Sequence, residues 1–307
     1  MKTQKVKGLD IKVPNTKAFN IETIPELMKM HMCMVVSGKR GSGKTLAVVN
    51  LLKKLQETNS LDRVFIISPT VYSNKHILDL IKYDPEDVFE DPTKEALDKV
   101  IEAVEQEAAD YEDYIEQMKL YKKYLRYMKT GQGTLKDEDI FDLYDGESQT
   151  IQPPKHKWNG KKPVMLLLMD DCQGSPIYNV KSKLSNYVIK HRHIGQLRKS
   201  YGALGLSMVF CVQSYKSAGG GLPRALRGQA TTMMIFKSKD ENELDDIAQE
   251  CGGEVDNETF IKVYEAAIDE PHSFLFIDFH KKDNHPSMFR KRFDTFLIPE
   301  QLENKKQ

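Results

Sequence analysis

Long apolar stretches are missing from this sequence: no run reaches the ~18–20 residues that span a bilayer. The opening segment, MKTQKVKGLDIKV, carries charge but no apolar centre, so it is not expected to act as a secretory signal. Cysteine is scarce. The four present (Cys33, Cys172, Cys211 and Cys251) lie far apart with no CxxC pair. That spacing argues against a disulfide framework or a zinc site, and three of the four sit in or beside apolar runs, as buried reduced thiols in a cytosol-like compartment do. Acidic residues are absent from Cys172 to Lys239, in a chain that is 29% charged. Proline and glycine are absent from Lys94 to Lys129. With 307 residues and 40% hydrophobic content, the chain can bury the core of one large α/β domain or two smaller ones.

The formal net charge of zero hides a segregation. Residues 84–116 hold 14 acidic residues against two lysines, Lys94 and Lys99. The acid-free block holds eleven Lys and Arg. Such a block attracts polyanions through phosphate neutralisation and counterion release. The alternative is a basic face that offsets the acidic segment within the chain or across a subunit contact.

Short apolar runs alternate with helical patterns. Strands are expected at 33–37, 64–70, 164–169, 206–212, 231–236 and 273–279, with helices after the first loop and near 75–83, 180–200, 240–251 and 257–267. In the first helix Leu46, Val49, Leu52 and Leu55 share a face. Near-continuous apolar strands between helices predict an α/β fold with a mostly parallel sheet covered on both faces. Between Lys94 and Lys129, Leu97, Ile101, Val104, Ala108, Tyr111, Ile115 and Met118 recur at spacings of four and three, a heptad seam on a long helix. Residues 131–162 are polar. The expected division is an extension at 1–30, an α/β core at 31–83 and 163–307, and an acidic helical insertion with a polar return at 84–162. An ordinary long helix packed on the domain remains open for that insertion.

Residues 38–45 read GKRGSGKT, which satisfies GxxxxGK[ST] between a strand and a helix. Gly38, Gly41, Ser42 and Gly43 let backbone N–H groups close around phosphates at the positive end of a helix. Lys44 reaches the β- and γ-phosphates of ATP, and the Thr45 hydroxyl ligates Mg²⁺. The run VMLLLMDD places Asp170 and Asp171 at the end of a buried strand, where two adjacent carboxylates are costly without a cation. Asp170 is expected to hold Mg²⁺ and Asp171 to orient or deprotonate the attacking water. The alternative for Asp171 is a helix N-cap. Gln213 ends a strand and can contact the γ-phosphate or that water, or be satisfied by backbone. Lys216 and a Gly-rich loop follow, then Pro223, Arg224 and Arg227. Arginine suits phosphoryl charge in the transition state, including in trans. Arg192, Arg198, Arg224 and Arg227 compete for that role, each also suited to DNA or to a local carboxylate. Lys216, Arg198 and Arg224 are the candidate DNA contacts.

Five elements occur in order: GKRGSGKT, LLLMDD, KHRHI around Arg192, VFCVQSY with Gln213, and LPRALRGQ. Over roughly 30–83 and 163–280 the chain resembles the poxvirus-type genome-packaging ATPases of the FtsK–HerA superfamily, found in large double-stranded DNA viruses and virophages. The first two elements are generic to P-loop ATPases; the other three carry the specificity. The resemblance implies a RecA-like ATPase core that uses ATP and Mg²⁺. It implies a homo-oligomeric ring that pumps double-stranded DNA into a preformed capsid, docked on a portal or vertex protein. The setting it implies is the host cytoplasm, in a virus factory, and the virion, with no membrane. It carries Lys44 and Thr45 to phosphate and Mg²⁺, Asp170 and Asp171 to the Walker B acids, Gln213 to a sensor, and Arg227 to the arginine after Leu-Pro. The 84–162 segment departs from it. Competing classes are an assembly or secretion ATPase of the same superfamily, a nucleotide-dependent scaffold, and a kinase or GTPase. The last lacks its [NT]KxD motif here.

Overall fold

The computed structural model describes residues 21, 23–134, 136, 138, 140, 143–145, 150–179, 183–216, 222–238, 240–251 and 255–300. Its centre is a nine-stranded sheet. In chain order the strands are β1 (Cys33–Ser37), β2 (Arg63–Ile67), β3 (Val88–Phe89), β4 (Tyr144–Asp145), β5 (Thr150–Ile151), β6 (Met165–Asp170), β7 (Ser207–Val212), β8 (Thr232–Phe236), β9 (Phe274–Asp278), β10 (Phe289–Lys291) and β11 (Thr295–Leu297). The sheet order is β11-β10-β9-β8-β1-β7-β6-β2-β3, and β4 and β5 form a separate pair. From β3 to β8 all neighbours are parallel; β9, β10 and β11 extend the sheet antiparallel.

The helices are α1 (Lys44–Glu57), α2 (Lys75–Leu78), α3 (Lys94–Thr130), α4 (Leu184–Ile189), α5 (Arg224–Arg227), α6 (Glu241–Cys251) and α7 (Asn257–Ala267). The strands are buried on both faces, which is why they read as unbroken apolar runs. Met34, Val36, Val64, Ile66, Leu166 and Leu168 pack under α1 and α2. Cys33, Val35, Phe65, Ile67, Met165 and Leu167 pack on the other face with α3, α4, α6 and α7. All four cysteines are buried and free.

Three expected elements differ, the first being the helix near 75–83, which is only the four-residue α2. The helix expected at 180–200 is confined to α4 and a 3-10 turn at His191–His193; residues 180–182 lie outside the described residues. The chain then turns through Gly195 and Gly202, both at positive φ, where a side chain would be strained. In α1, Val49, Leu52 and Leu55 are buried as the pattern predicts, with Val48 and Leu51, but Leu46 is exposed at the nucleotide cavity.

The 84–162 segment does not stand apart from the core. It supplies β3 at the sheet edge and the first half of α3, where Leu97, Val100, Ile101, Val104 and Ala108 are buried against the sheet. The ordinary-helix alternative describes this half. Arg63 on β2 holds it, with a bidentate pair to Asp87 at 2.7 and 2.8 Å and a pair to Glu107 at 2.7 Å. Trp158 Nε1 donates to the same Glu107 at 2.6 Å, fixing the return segment. Farther along, Leu125, Tyr127 and Met128 are exposed. The helix is 37 residues long, about 55 Å at 1.5 Å per residue, so its C-terminal end projects. No helix among the described residues is long and apolar enough to cross a membrane.

The expected 1–30 extension is described only at residue 21 and from residue 23. There Leu27, Met28 and Met30 are buried, and Lys282 Nζ donates to Thr23 and Ile24 carbonyls at 3.0 and 2.6 Å. Behind it, His31 lies against Gly205. Burial and the nearby His191 lower its pKa from 6.5 to about 4.

Two outcomes test this packing. Leu97→Ala should cost about 2–5 kcal/mol in denaturant unfolding, and Leu125→Ala less than about 0.5 kcal/mol. Equal effects would mean that the two halves of α3 are equally packed. His31 binds fewer protons folded than unfolded, so its contribution is intact above pH 6.5 and declines as pH falls toward 4. The slope is at most about 1.4 kcal/mol per pH unit. Plotted against pH, the stability of His31→Gln should be flatter than wild type across that window.

Candidate nucleotide site

The site forms where the parallel strands end. The N–H of Gly38 donates to the carbonyl of Val212 at 3.2 Å, so the loop leaves β1 clamped to the end of β7. A Cβ on Gly38 would stand 2.7 Å from Phe236 Cβ and 2.8 Å from Ser42 Oγ, which requires glycine. Gly43, at φ 95°, caps α1 and turns the loop into the helix. The Lys44 ammonium, buried, donates to the Gly38 carbonyl at 2.5 Å and the Lys39 carbonyl at 3.2 Å. It is folded back over the loop.

The acid strand β6 lies two places from β1, with β7 between them. This separation puts Asp170 within reach of α1: Thr45 Oγ1 donates to Asp170 Oδ2 at 2.9 Å. The other oxygen, Oδ1, is buried without a hydrogen-bond partner. Burial pushes the Asp170 pKa above the usual carboxylate value, the Thr45 hydrogen bond opposes this, and the neighbouring Asp171 charge adds to it. A hydroxyl and a carboxylate with an unsatisfied oxygen form a hard-oxygen donor pair that fits Mg²⁺. Among the described residues no cluster of three or more His, Cys, Asp or Glu could hold a metal. Thr45 and Asp170 would supply the protein ligands to Mg²⁺ here, an ion that commonly keeps water and phosphate in its remaining positions.

Asp171 stands at φ 52°, an uncommon conformation for a non-glycine residue, and is partly exposed. Thr70 Oγ1 donates to it at 3.2 Å, and Asn74 in turn donates to Thr70 at 3.2 Å. Thr70, Asn74, Asp171, Gln213, Lys44 and Thr45 line one cavity of about 1050 Å³. Gln213 is exposed there; its backbone N–H donates to the Gln173 side chain at 2.7 Å. The structure thus brings together Gly41, Ser42, Gly43, Lys44, Thr45, Asp171 and Gln213 around one space, with Asp170 directly behind Thr45.

It does not bring Arg227 or Lys216 there. Arg227, expected to reach a neighbouring subunit, is held within its own chain. Its guanidinium lies 5.2 Å from the centre of the Tyr215 ring and pairs with Glu250 at 3.2 Å. Lys216, expected on the DNA backbone, pairs with Asp246 at 2.8 Å and Glu250 at 2.9 Å. The cause is α6, where acidic residues return after the acid-free block. Residues 217–221 of the Gly-rich loop lie outside the described residues. Arg224 is exposed and makes no ion pair among the described residues. Arg198 is also exposed; among the described residues only its backbone N–H is engaged, by Glu112.

Sequence reasoning missed Thr70 and Asn74 as site residues, although Thr70 closes an expected strand at the edge where α/β ligands bind. It also missed His272, Phe274, Arg292 and Phe293, which line the cavity from β9 and β10. No motif marks them.

The fold and site define an α/β protein with a P-loop sequence, in which one strand separates the P-loop strand from the acid strand. No family model matches the chain, and no curated protein matches it. Among solved structures it is similar to the genome packaging NTPase B204 from Sulfolobus turreted icosahedral virus 2 in complex with ATP-γ-S. That match has 14% identity over 82% of this chain and 94% of that one, with a TM-score of 0.44. It is also similar to the pCW3 conjugation coupling protein TcpA with ATP-γ-S (12% identity, 90% of this chain, 65% of that one, TM-score 0.42). ATPases 2 and 3 of EssC from Geobacillus thermodenitrificans match at 14% identity over 66% of this chain and 32% of that one, with a TM-score of 0.31. Likeness of this degree does not assign chemistry.

Lys44→Ala should weaken triphosphate binding at least tenfold in calorimetry while leaving the unfolding midpoint within a few degrees, because among the described residues its ammonium donates only to loop carbonyls. Unchanged binding would mean that the ammonium does not meet phosphate.

Proposed function

We propose that the chain is a motor that hydrolyses Mg²⁺-ATP and couples the reaction to movement of double-stranded DNA. Its setting is the packaging of a viral genome into a preformed capsid, by a ring of copies docked on a portal or vertex protein, in the virus factory and the virion. The observation that carries the catalytic half is the Thr45–Asp170 hydrogen bond with its orphaned buried oxygen, set beside Lys44 in the cavity that Asp171 and Gln213 line. Lys44 leaves the loop carbonyls for the β- and γ-phosphates. Thr45 and Asp170 hold the cation, which neutralises charge on the phosphate oxygens when bound. Asp171, anchored by Thr70, orients the attacking water and accepts its proton, and Gln213 reaches the γ-phosphate from the end of β7.

The DNA half is supported by the KHRHI, Gln213 and LPRALR elements. It is also supported by Lys190, Arg198, Arg224 and Lys237, which are exposed and unpaired among the described residues. Many other cations of the acid-free block are neutralised internally. Lys183 pairs with Asp98 at 2.8 Å and Lys199 with Glu116 at 2.7 Å, so the DNA surface is smaller than composition suggests. With Arg227 bound in its own chain, Arg224 is the arginine on that turn free to enter a neighbour's site.

Double-stranded DNA of unrelated sequences should stimulate phosphate release, with apparent affinity falling steeply as salt rises. Asp171→Asn should bind ATP normally and turn over at least a hundredfold slower. Arg224→Ala should also bind and hydrolyse poorly, and mixing it with Lys44→Ala subunits should restore part of the rate. Normal turnover by Asp171→Asn would refute the acid assignment. Hydrolysis indifferent to DNA and to mixing would refute the motor.

A further inference from the structure

The nucleotide cavity has two ends, and the phosphate chemistry occupies one. Asp170 and Asp171 leave β6 and Gln213 leaves β7, both on the same side of β1. Across β1 lie β8, then β9 and β10, and from these the cavity receives His272, Phe274, Arg292 and Phe293. A triphosphate whose γ end faces Asp171 and Gln213 runs back through Gly41–Lys44. What is attached to its α-phosphate then leaves on the β9–β10 side. The cavity, at about 1050 Å³, is at the upper end of the range for ligand pockets and leaves room there.

The far wall is built from flat groups. His272 precedes β9 and lies against the loop, its Nδ1 3.3 Å from the Ser42 carbonyl and 3.5 Å from where a Cβ on Gly43 would stand. Arg292 follows β10; its backbone N–H donates to Phe274 O at 2.9 Å, and its guanidinium pairs with Glu270. Phe293 is held edge-on between Phe274 and Phe276, with ring centres 5.0 and 5.4 Å away. His272 and Arg292 are exposed, Phe293 is half-buried, and the phosphate chemistry uses none of the three. Imidazole, guanidinium and phenyl faces suit the π-face of a base.

Resting on the nucleotide reading above, we propose that His272, Arg292 and Phe293 form the nucleoside subsite, holding the base and ribose by their faces. The hairpin that closes the sheet thus doubles as the wall against which the base packs. Of the acidic side chains near this end, Glu270 is committed to Arg292 and Lys291, so recognition rests on the ring face rather than on a carboxylate reading the base edge.

Calorimetric titration with ATP and with inorganic tripolyphosphate separates this subsite from the P-loop. The His272→Ala/Arg292→Ala double variant, and separately Phe293→Leu, which keeps an apolar contact to Phe274, are compared with wild type after a check that the unfolding midpoint holds. The double variant should lose tenfold or more in ATP affinity, and Phe293→Leu several-fold, while tripolyphosphate affinity stays within twofold for both. ATP affinity unchanged in both variants overturns the subsite. Tripolyphosphate falling in step with ATP also overturns it, because the residues would then be meeting phosphate. Wild-type protein that binds neither ligand overturns the nucleotide reading itself, and this subsite with it.

Discussion

One part-buried hydrogen bond organises the site: the Thr45 hydroxyl on Asp170, at 2.9 Å, with β7 lying between β1 and β6. A carboxylate at that depth is costly unless its charge is met. The threonine meets one oxygen and the second is left without a partner. Everything that makes this pair possible lies in the sheet. Parallel strands deliver β1 and β6 to the same edge, two places apart, and the loop after β1 turns the start of α1 toward the acid. The same turn brings the head of α1 to the cavity, so the candidate cation and phosphate sites come from one backbone path.

Charge segregation has a largely internal explanation. Acidic α3 and the basic block meet: Glu112 accepts three backbone N–H groups, from Arg198, Lys199 and Ser200, at 3.0, 2.6 and 2.9 Å. A buried carboxylate satisfied in this way fixes the loop before β7. Exposed pairs such as Lys199 with Glu116 add little. The second neutralising element is α6, whose Glu250 gathers Tyr215, Lys216 and Arg227 into one network. What remains outward-facing is a short set of cations, Arg224 and Arg198 among them.

Much of this was legible in the sequence, for physical reasons. The six main strands were readable because both faces are buried, and Lys44, Thr45 and Asp170 because loop, hydroxyl and acid each have a fixed spacing from a strand end. The intrachain pairing of Arg227 and Lys216 was not legible because ion pairing joins residues far apart in sequence, and Glu250 carries no mark of its partners. The 84–162 segment was ambiguous because a heptad seam looks alike whether it faces a sheet or a partner helix. His272, Arg292 and Phe293 were invisible because an antiparallel hairpin brings them to the P-loop from residues more than 200 positions away. That distance is in the fold, not in any local pattern.

In the function proposed, Thr45 and Asp170 hold a divalent cation together with a nucleotide's phosphates. Mn²⁺ tests it most directly, through its spin resonance with ATP-γ-S and the phosphorus couplings in that spectrum. The account predicts that one Mn²⁺ binds per chain only with the nucleotide present, shows coupling to phosphorus, and is lost in Asp170→Asn. Mn²⁺ that binds equally without nucleotide, or survives unchanged in Asp170→Asn, contradicts it.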